Sequence, residues 1–165
     1  MIADQAPARR IRRFILRVAV STVHQLRRAW WFVRRPHSHG VHALVMTDGG
    51  GLLLVKHTYR SGWYFPGGGR KSSETDEAAI LRELREEVGL TAWRDLTLLE
   101  RFDRRFDWKH DHVALFLVRG AHCAPRPSLE IEDAVAFDLD RLPADIPQSL
   151  RAKIDRYRDR LGTAA

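Results

Sequence analysis

The chain has 165 residues, 44% of them hydrophobic, with 28 lysines and arginines against 21 acids and a formal net charge of +7. That length suits one domain with a real core and is short for two. A single cysteine, Cys123, excludes an internal disulfide framework and a cysteine-rich zinc site, and no apolar run is long enough for an ordinary membrane-spanning helix.

The charge is unevenly placed. Residues 1–47 hold nine arginines and one acid, a net of +8, whereas residues 48–165 hold 19 basic and 20 acidic side chains, a net of −1. A basic nucleic-acid-binding face spread over the whole domain is therefore not expected, and no stable nucleic-acid partner is. The sequence divides into a basic arm, residues 1–36, and a near-neutral body, residues 37–165. From Ile11 to Val33, Ile11, Phe14, Ile15, Val18, Leu26, Trp30 and Val33 recur at roughly helical spacing, with arginines filling much of the rest. The spacing predicts a basic amphipathic helix stopped by Pro36, followed by the connector His37-Ser38-His39-Gly40. Four roles suit such an arm: packing on the body, peripheral membrane contact through arginines and the interfacial Phe14, Trp30 and Trp31, dimerisation, or organelle targeting. Packing ranks first and membrane contact second. Without a spanning helix or a secretory signal, a cytoplasmic protein, peripheral at a membrane if the arm binds one, is expected.

Val41 to Thr47 and Leu52 to His57 read as two antiparallel strands joined by Asp48-Gly49-Gly50-Gly51, whose glycines tolerate the positive φ angles of tight turns. After Trp63-Tyr64-Phe65 and a run of glycines, Thr75 is placed to cap a helix with Asp76 and Glu77 in its first turn and Gly89 at its end. Ile80, Leu84 and Val88 make its buried stripe. Further strands are predicted at Leu96 to Phe102, His112 to Val118 and Ala134 to Phe137, and a closing helix from Gln148 to Leu161.

The stretch from Pro66 to Leu90 carries the chemistry. Glu83, Glu86 and Glu87 crowd one helix face, where like charges three and four residues apart destabilise by roughly 0.2–0.5 kcal/mol per pair. Hard carboxylate oxygens at that density suit magnesium or manganese, which share their coordination with water and substrate phosphate and would offset the repulsion. Gly67, Gly68 and Gly69 let the backbone approach a ligand closely, and Arg82 is placed to hold a carboxylate through a bidentate contact.

The same residues resemble the complete signature of the Nudix hydrolases: Gly68, Glu74, Arg82-Glu83-Leu84, Glu86-Glu87 and Gly89-Leu90 fill every fixed position at the family spacing. The likeness extends to the two strands upstream, the Gly-Trp-Tyr-Phe-Pro approach, and a late Ala-Phe-Asp-Leu-Asp-Arg-Leu-Pro segment. Ser73, where relatives often have glycine, is a small departure. The resemblance implies an α/β/α sandwich with a mixed central sheet, carrying the N-terminal basic helix as an addition. It further implies that Glu83, Glu86 and Glu87 bind the divalent metal, with the Gly67 carbonyl as a further ligand, while Arg82 and Glu74 order loop and helix. The implied reaction is attack of water on a diphosphate linkage of a nucleoside diphosphate derivative, with Mg2+ as cofactor and Mn2+ as its substitute. A carboxylate outside the signature often assists, and Glu130 and Glu132 are both candidates. The competing reading is a non-catalytic nucleotide sensor or scaffold on the same fold.

Other residues carry a bland reading beside a functional one. Trp63 and Tyr64 are placed to stack a base, yet packing is the commoner role of such residues. Arg104, Arg105 and Lys109 are candidate phosphate contacts or solvated cations. His110 and His112 flank Asp111, but without a third histidine or a cysteine nearby they read as surface or substrate-lining residues rather than a zinc site. Arg104, Arg105, Phe106, Asp107 and Trp108 occupy the region where some relatives carry a proline or tyrosine marking ADP-ribose or diadenosine polyphosphate substrates. Neither marker is present, so the substrate stays open.

Overall fold

The computed structural model describes residues 37–106, 109–125 and 128–162. The predicted helix Ile11 to Val33 lies outside them. Eight strands form the sheet: β1 His37–Thr47, β2 Leu52–His57, β3 Trp63–Tyr64, β4 Gly67–Gly69, β5 Leu90–Ala92, β6 Asp95–Phe106, β7 Lys109–Cys123 and β8 Ile131–Phe137. The helices are α1 Asp76–Val88, α2 Gln148–Arg156 and the short α3 Arg158–Gly162. Among the described residues no helix is long and apolar enough to cross a membrane.

The sheet is mixed. Its main path runs β3-β2-β1-β7-β5, with β4 beside β1, β6 beside β7 and β8 beside β2. β1 and β7 are parallel, while the other pairs are antiparallel. Both faces are covered, which explains why Val41 to Met46, Leu52 to Val55 and Val113 to Val118 are nearly unbroken apolar runs. Val41, Ala43, Val45, Val55, Ala114 and Phe116 share one core with Ile80, Leu84 and Val88 of α1. Leu44, Leu52, Leu54, Leu115 and Leu117 share the other with Ile154 and Leu161. The alternation of strand side chains thus builds the expected three layers.

Helix α1 forms as the sequence predicts. Thr75 Oγ1 accepts from the Ala78 N–H at 3.1 Å, and Asp76 and Glu77 occupy the positive end of the helix dipole. At the other end Gly89 sits at φ 63°, where a Cβ would also stand 2.4 Å from the Ala124 carbonyl oxygen.

Several predicted boundaries are corrected. His37 to Gly40, read as a connector, extends β1 and pairs in register with His110 to Val113 of β7. The glycine run, read as a loop, is β4, antiparallel to Gly40 to His42. β6 and β7 are each longer than predicted, because each supplies the other's hydrogen bonds along almost its whole length. β5 was not anticipated; its three residues pair with the end of β7. The closing helix is interrupted at Tyr157 (φ −104°, ψ 11°), and Arg158 there bonds the Leu139 carbonyl and pairs with Asp140.

Leu84, fully buried between α1 and the sheet, tests this packing. Leu84→Ala should lower the unfolding free energy by about 2–5 kcal/mol, read from chemical denaturation.

Candidate active site

Arg82 organises the acidic face of α1. Its Nε and Nη2 grip the two oxygens of Glu74 at 2.8 and 3.1 Å, and Nη2 also donates to the Gly69 carbonyl at 2.9 Å. Its Nη1 donates to Glu83 Oε1 at 2.7 Å and to Glu86 Oε2 at 3.3 Å. One planar, permanently charged group therefore ties the turn after β4 to the helix and offsets part of the repulsion among the glutamates. The bond from Arg82, followed by one from the Lys71 N–H, holds the Glu74 carboxyl down at a pKa of about 2.

The glycines make room for the carboxylates. A Cβ on Gly68 would sit 2.6 Å from Glu83 Cδ. Gly67 lies at φ 141°, where a Cβ would stand 2.1 Å from the Val41 carbonyl oxygen and 2.9 Å from His42 Nδ1. The backbone link seen at Gly67 runs through its amide, which donates to Glu87 Oε2 at 2.8 Å.

Burial sets the electrostatics. Glu83 titrates above the ordinary carboxylate range, first because it is desolvated and then because Glu86 and Glu130 stand nearby, with Arg82 opposing. Glu87 is pushed up to about 8, again chiefly by desolvation and further by Glu83 and Glu130, against the Gly67 amide and the Arg60 charge. Glu130 thus acts on both glutamates, whereas Glu132 is not among the main influences on either. The Glu130 backbone is tethered: its carbonyl accepts from the Thr58 N–H at 2.9 Å, and its N–H donates to Ser128 Oγ at 3.2 Å. The Thr58 hydroxyl adds a 2.7 Å bond to the Leu129 carbonyl.

The two aromatic candidates part company. Trp63, half-buried, packs edge-on against Phe137, ring centroids 4.8 Å apart, at the margin of the core under α2. Tyr64 lines a cavity of about 490 Å³ together with His42, Arg60, Phe65, Phe102 and residues of the α2 turn. The Arg60 guanidinium carbon stands 3.4 Å above the Tyr64 ring centroid. Arg104 and Arg105 occupy β6 positions opposite Asp111 and His110; their side chains are outside the described residues. His112 stacks on His39 at 5.2 Å and its Nδ1 lies 2.5 Å from Asp103 Oδ1.

Among the described residues no three histidine, cysteine or acidic side chains converge on a metal-sized point, the signature glutamates being spread around Arg82. Their chemistry nonetheless fits a divalent cation. Oxygen donors stand along one glycine-lined edge, and burial raises the pKa of two of them, Glu83 and Glu87. Sequence reasoning missed Arg60, His42 and Thr58, which lie in no recognisable spacing and are brought to the site by pairing among β1, β2, β4 and β8.

The model of the NUDIX domain matches residues 36–157. The chain belongs to the Nudix family. It is 42% identical over 76 residues to an RNA pyrophosphohydrolase of Hydrogenovibrio crunogenus, covering 46% of this chain and 44% of that protein. It is 43% identical over 56 residues to an 8-oxo-dGTP diphosphatase of Proteus vulgaris, covering 34% and 49%. In each case this Nudix chain spans less than half the length of the curated relative. Among solved structures, a MutT Nudix hydrolase from Burkholderia pseudomallei superposes with a TM-score of 0.63 at 28% identity, covering 73% of this chain and 97% of that one.

Glu87 gives a pH signature. With a folded pKa of about 8 against an ordinary value of 4.5, the folded chain keeps a proton that the unfolded chain releases between those limits. Stability in a chelator should therefore fall as pH rises from about 4.5 to about 8, then level off. Thermal melts of Glu87→Gln should show a flatter profile, with the variant ahead of the parent at the alkaline end.

Proposed function

We propose that this chain is a divalent-metal-dependent pyrophosphohydrolase cleaving a phosphoanhydride bond in a nucleoside diphosphate derivative. The observation that carries this reading is the pair of desolvated glutamates, Glu83 and Glu87, set against the glycine strand with Glu130 acting on both. Glu83, Glu86 and Glu87, joined by the Gly67 carbonyl, would hold the ion, with Mg2+ assigned first and Mn2+ as its substitute. When bound, the ion supplies neutralisation of the diphosphate charge and a more acidic water.

The remaining work falls to the chain's own residues. Arg82 fixes Glu83 and Glu86 and keeps the turn after β4 against the helix. Glu130 is assigned as the carboxylate that takes the proton of the attacking water, in preference to Glu132. The cavity between β1, β6 and the α2 turn takes the base, its apolar wall being Phe65, Phe102, Leu115 and Leu150. The relatives' names suggest oxidised purine nucleoside triphosphates and RNA 5′ ends as the first substrates to try.

Turnover of 8-oxo-dGTP, dGTP and 5′-triphosphorylated RNA with Mg2+ tests the reading. Glu83→Gln and Glu87→Gln should each lose more than the about 10- to 100-fold that follows removal of a group behind a metal ligand. Glu130→Gln should lose about 100-fold or more, with Glu132→Gln near the parent. Unchanged turnover in both signature variants would remove the metal assignment.

For residues 1–36 we propose an accessory segment that packs on a cytoplasmic catalytic domain of residues 37–165, supported by the apolar periodicity of Ile11 to Val33 and the lone cysteine. Deleting residues 1–35 should then lower the melting temperature and promote aggregation, since apolar surface is uncovered at about 25 cal/mol per Å². A truncated chain that stays folded and active but no longer sediments with anionic vesicles would make the arm a membrane contact instead. A fall in subunit number on truncation would mark it as a dimerisation element.

A further inference from the structure

Arg60 has no place in the family signature, yet it stands where the two halves of the proposed site meet. One half is apolar: Phe65, Phe102, Leu115 and Leu150 wall the part of the cavity under α2. The other half is the carboxylate edge, reached through His42, whose backbone pairs with Gly67 and whose Nδ1 would lie 2.9 Å from a Gly67 Cβ. Arg60 lines the same cavity as His42, so it stands between the apolar wall and the strand that carries the glycines. A base in the apolar half would place its 5′ phosphates toward Arg60.

The arginine is also seated. Its guanidinium carbon lies 3.4 Å over the Tyr64 ring, a cation–π contact. Behind Tyr64, the buried His57 ring stands 5.8 Å from Tyr64 and 5.1 Å from Tyr59. Burial, and then the Arg60 charge, hold His57 down at a pKa of about 4, so that ring carries no charge at neutral pH. A guanidinium edge matches two phosphate oxygens at once, which an ammonium does not.

We propose that Arg60 is a substrate-binding residue that contacts the phosphate chain of the nucleotide where the base cavity meets the carboxylates, and that Tyr64 is the positioning residue that holds it flat. The inference rests on the pyrophosphohydrolase reading above and adds to it a residue and a role: Arg60 reads phosphate, not base.

The test compares, on the full chain by calorimetry, binding of the four nucleoside monophosphates and their parent nucleosides, alongside turnover of 8-oxo-dGTP and 5′-triphosphorylated RNA with Mg2+. Arg60→Ala should weaken monophosphate binding and raise KM by about 10- to 100-fold, the range for a lost charged hydrogen bond, with nucleoside binding unchanged and kcat moved less than KM. Arg60→Lys should recover only part of the loss, and Tyr64→Leu should weaken monophosphates more than nucleosides, with melting temperatures reporting any loss of fold. Equal weakening of monophosphate and nucleoside would make Arg60 a packing residue and overturn the proposal, as would no change in either. A parent chain that binds no nucleotide and hydrolyses none would overturn the underlying reading, and the proposal with it.

Discussion

The guanidinium of Arg82 is the contact on which the acidic face depends. Glu74, Gly69, Glu83 and Glu86 all accept from it, so the turn after β4 and the middle of α1 are joined through one plane. Without that cation three glutamates would repel one another on a helix already packed against a sheet and unable to move away. A lysine would supply the charge but not the fork, and could not grip both Glu74 oxygens while reaching Glu83. Arg70 extends the same logic outward: its Nη1 donates to the Glu74 carbonyl, and its Nε pairs with Asp76, which also takes Arg101 from β6.

The layered fold decides where the chemistry can sit. Both sheet faces are filled with apolar side chains, and the carboxylates are met where the short strand Gly67 to Gly69 pairs with Gly40 to His42. β4 contributes almost no side-chain volume, and that gap is taken by Glu83 and Glu87 from one layer and approached by His42 from the other. The charged half of the site thus belongs to the α1 side and the apolar half to the α2 side. Tyr64 and Arg60 stand at the sheet edge that joins them.

How much of this could be read from the sequence follows from how local each feature is. Helix α1, its Thr75 cap, its Gly89 stop and its acidic face are set by spacing within one segment, and the structure shows each of them. The glycine run was legible as close-approach backbone but not as a strand, because its partners Gly40 to His42 lie far upstream and supply the pairing. Trp63 and Tyr64 are adjacent and chemically alike. Strand alternation sends the first to the margin of the core beside Phe137 and the second beneath Arg60, a choice that depends on which face β2 presents. Glu130 and Glu132 were inseparable by position; Thr58, at the end of β2, ties down the backbone on which Glu130 stands. Arg60 carried no pattern at all, since its importance lies in a ring four residues away and an acid on another element.

The charges that act on the carboxylate edge are local, and burial outweighs them. The excess of basic residues lies in residues 1–47, and the rest of the chain is net −1. Among the described residues, Arg82 and Arg60 are cations that act on the glutamates of the edge. Arg82 is shared among Glu74, Glu83 and Glu86, and Arg60 lowers Glu87 without overcoming its burial. Burial, with Glu83 and Glu130 adding to it, pushes the Glu87 carboxyl up to about 8. A divalent ion held by Glu87, as proposed above, would compete with the proton on that carboxyl, which would link its binding to the ionisation of Glu87. Buried, crowded and only partly neutralised, these glutamates supply the oxygen chemistry on which the proposed divalent-ion site rests.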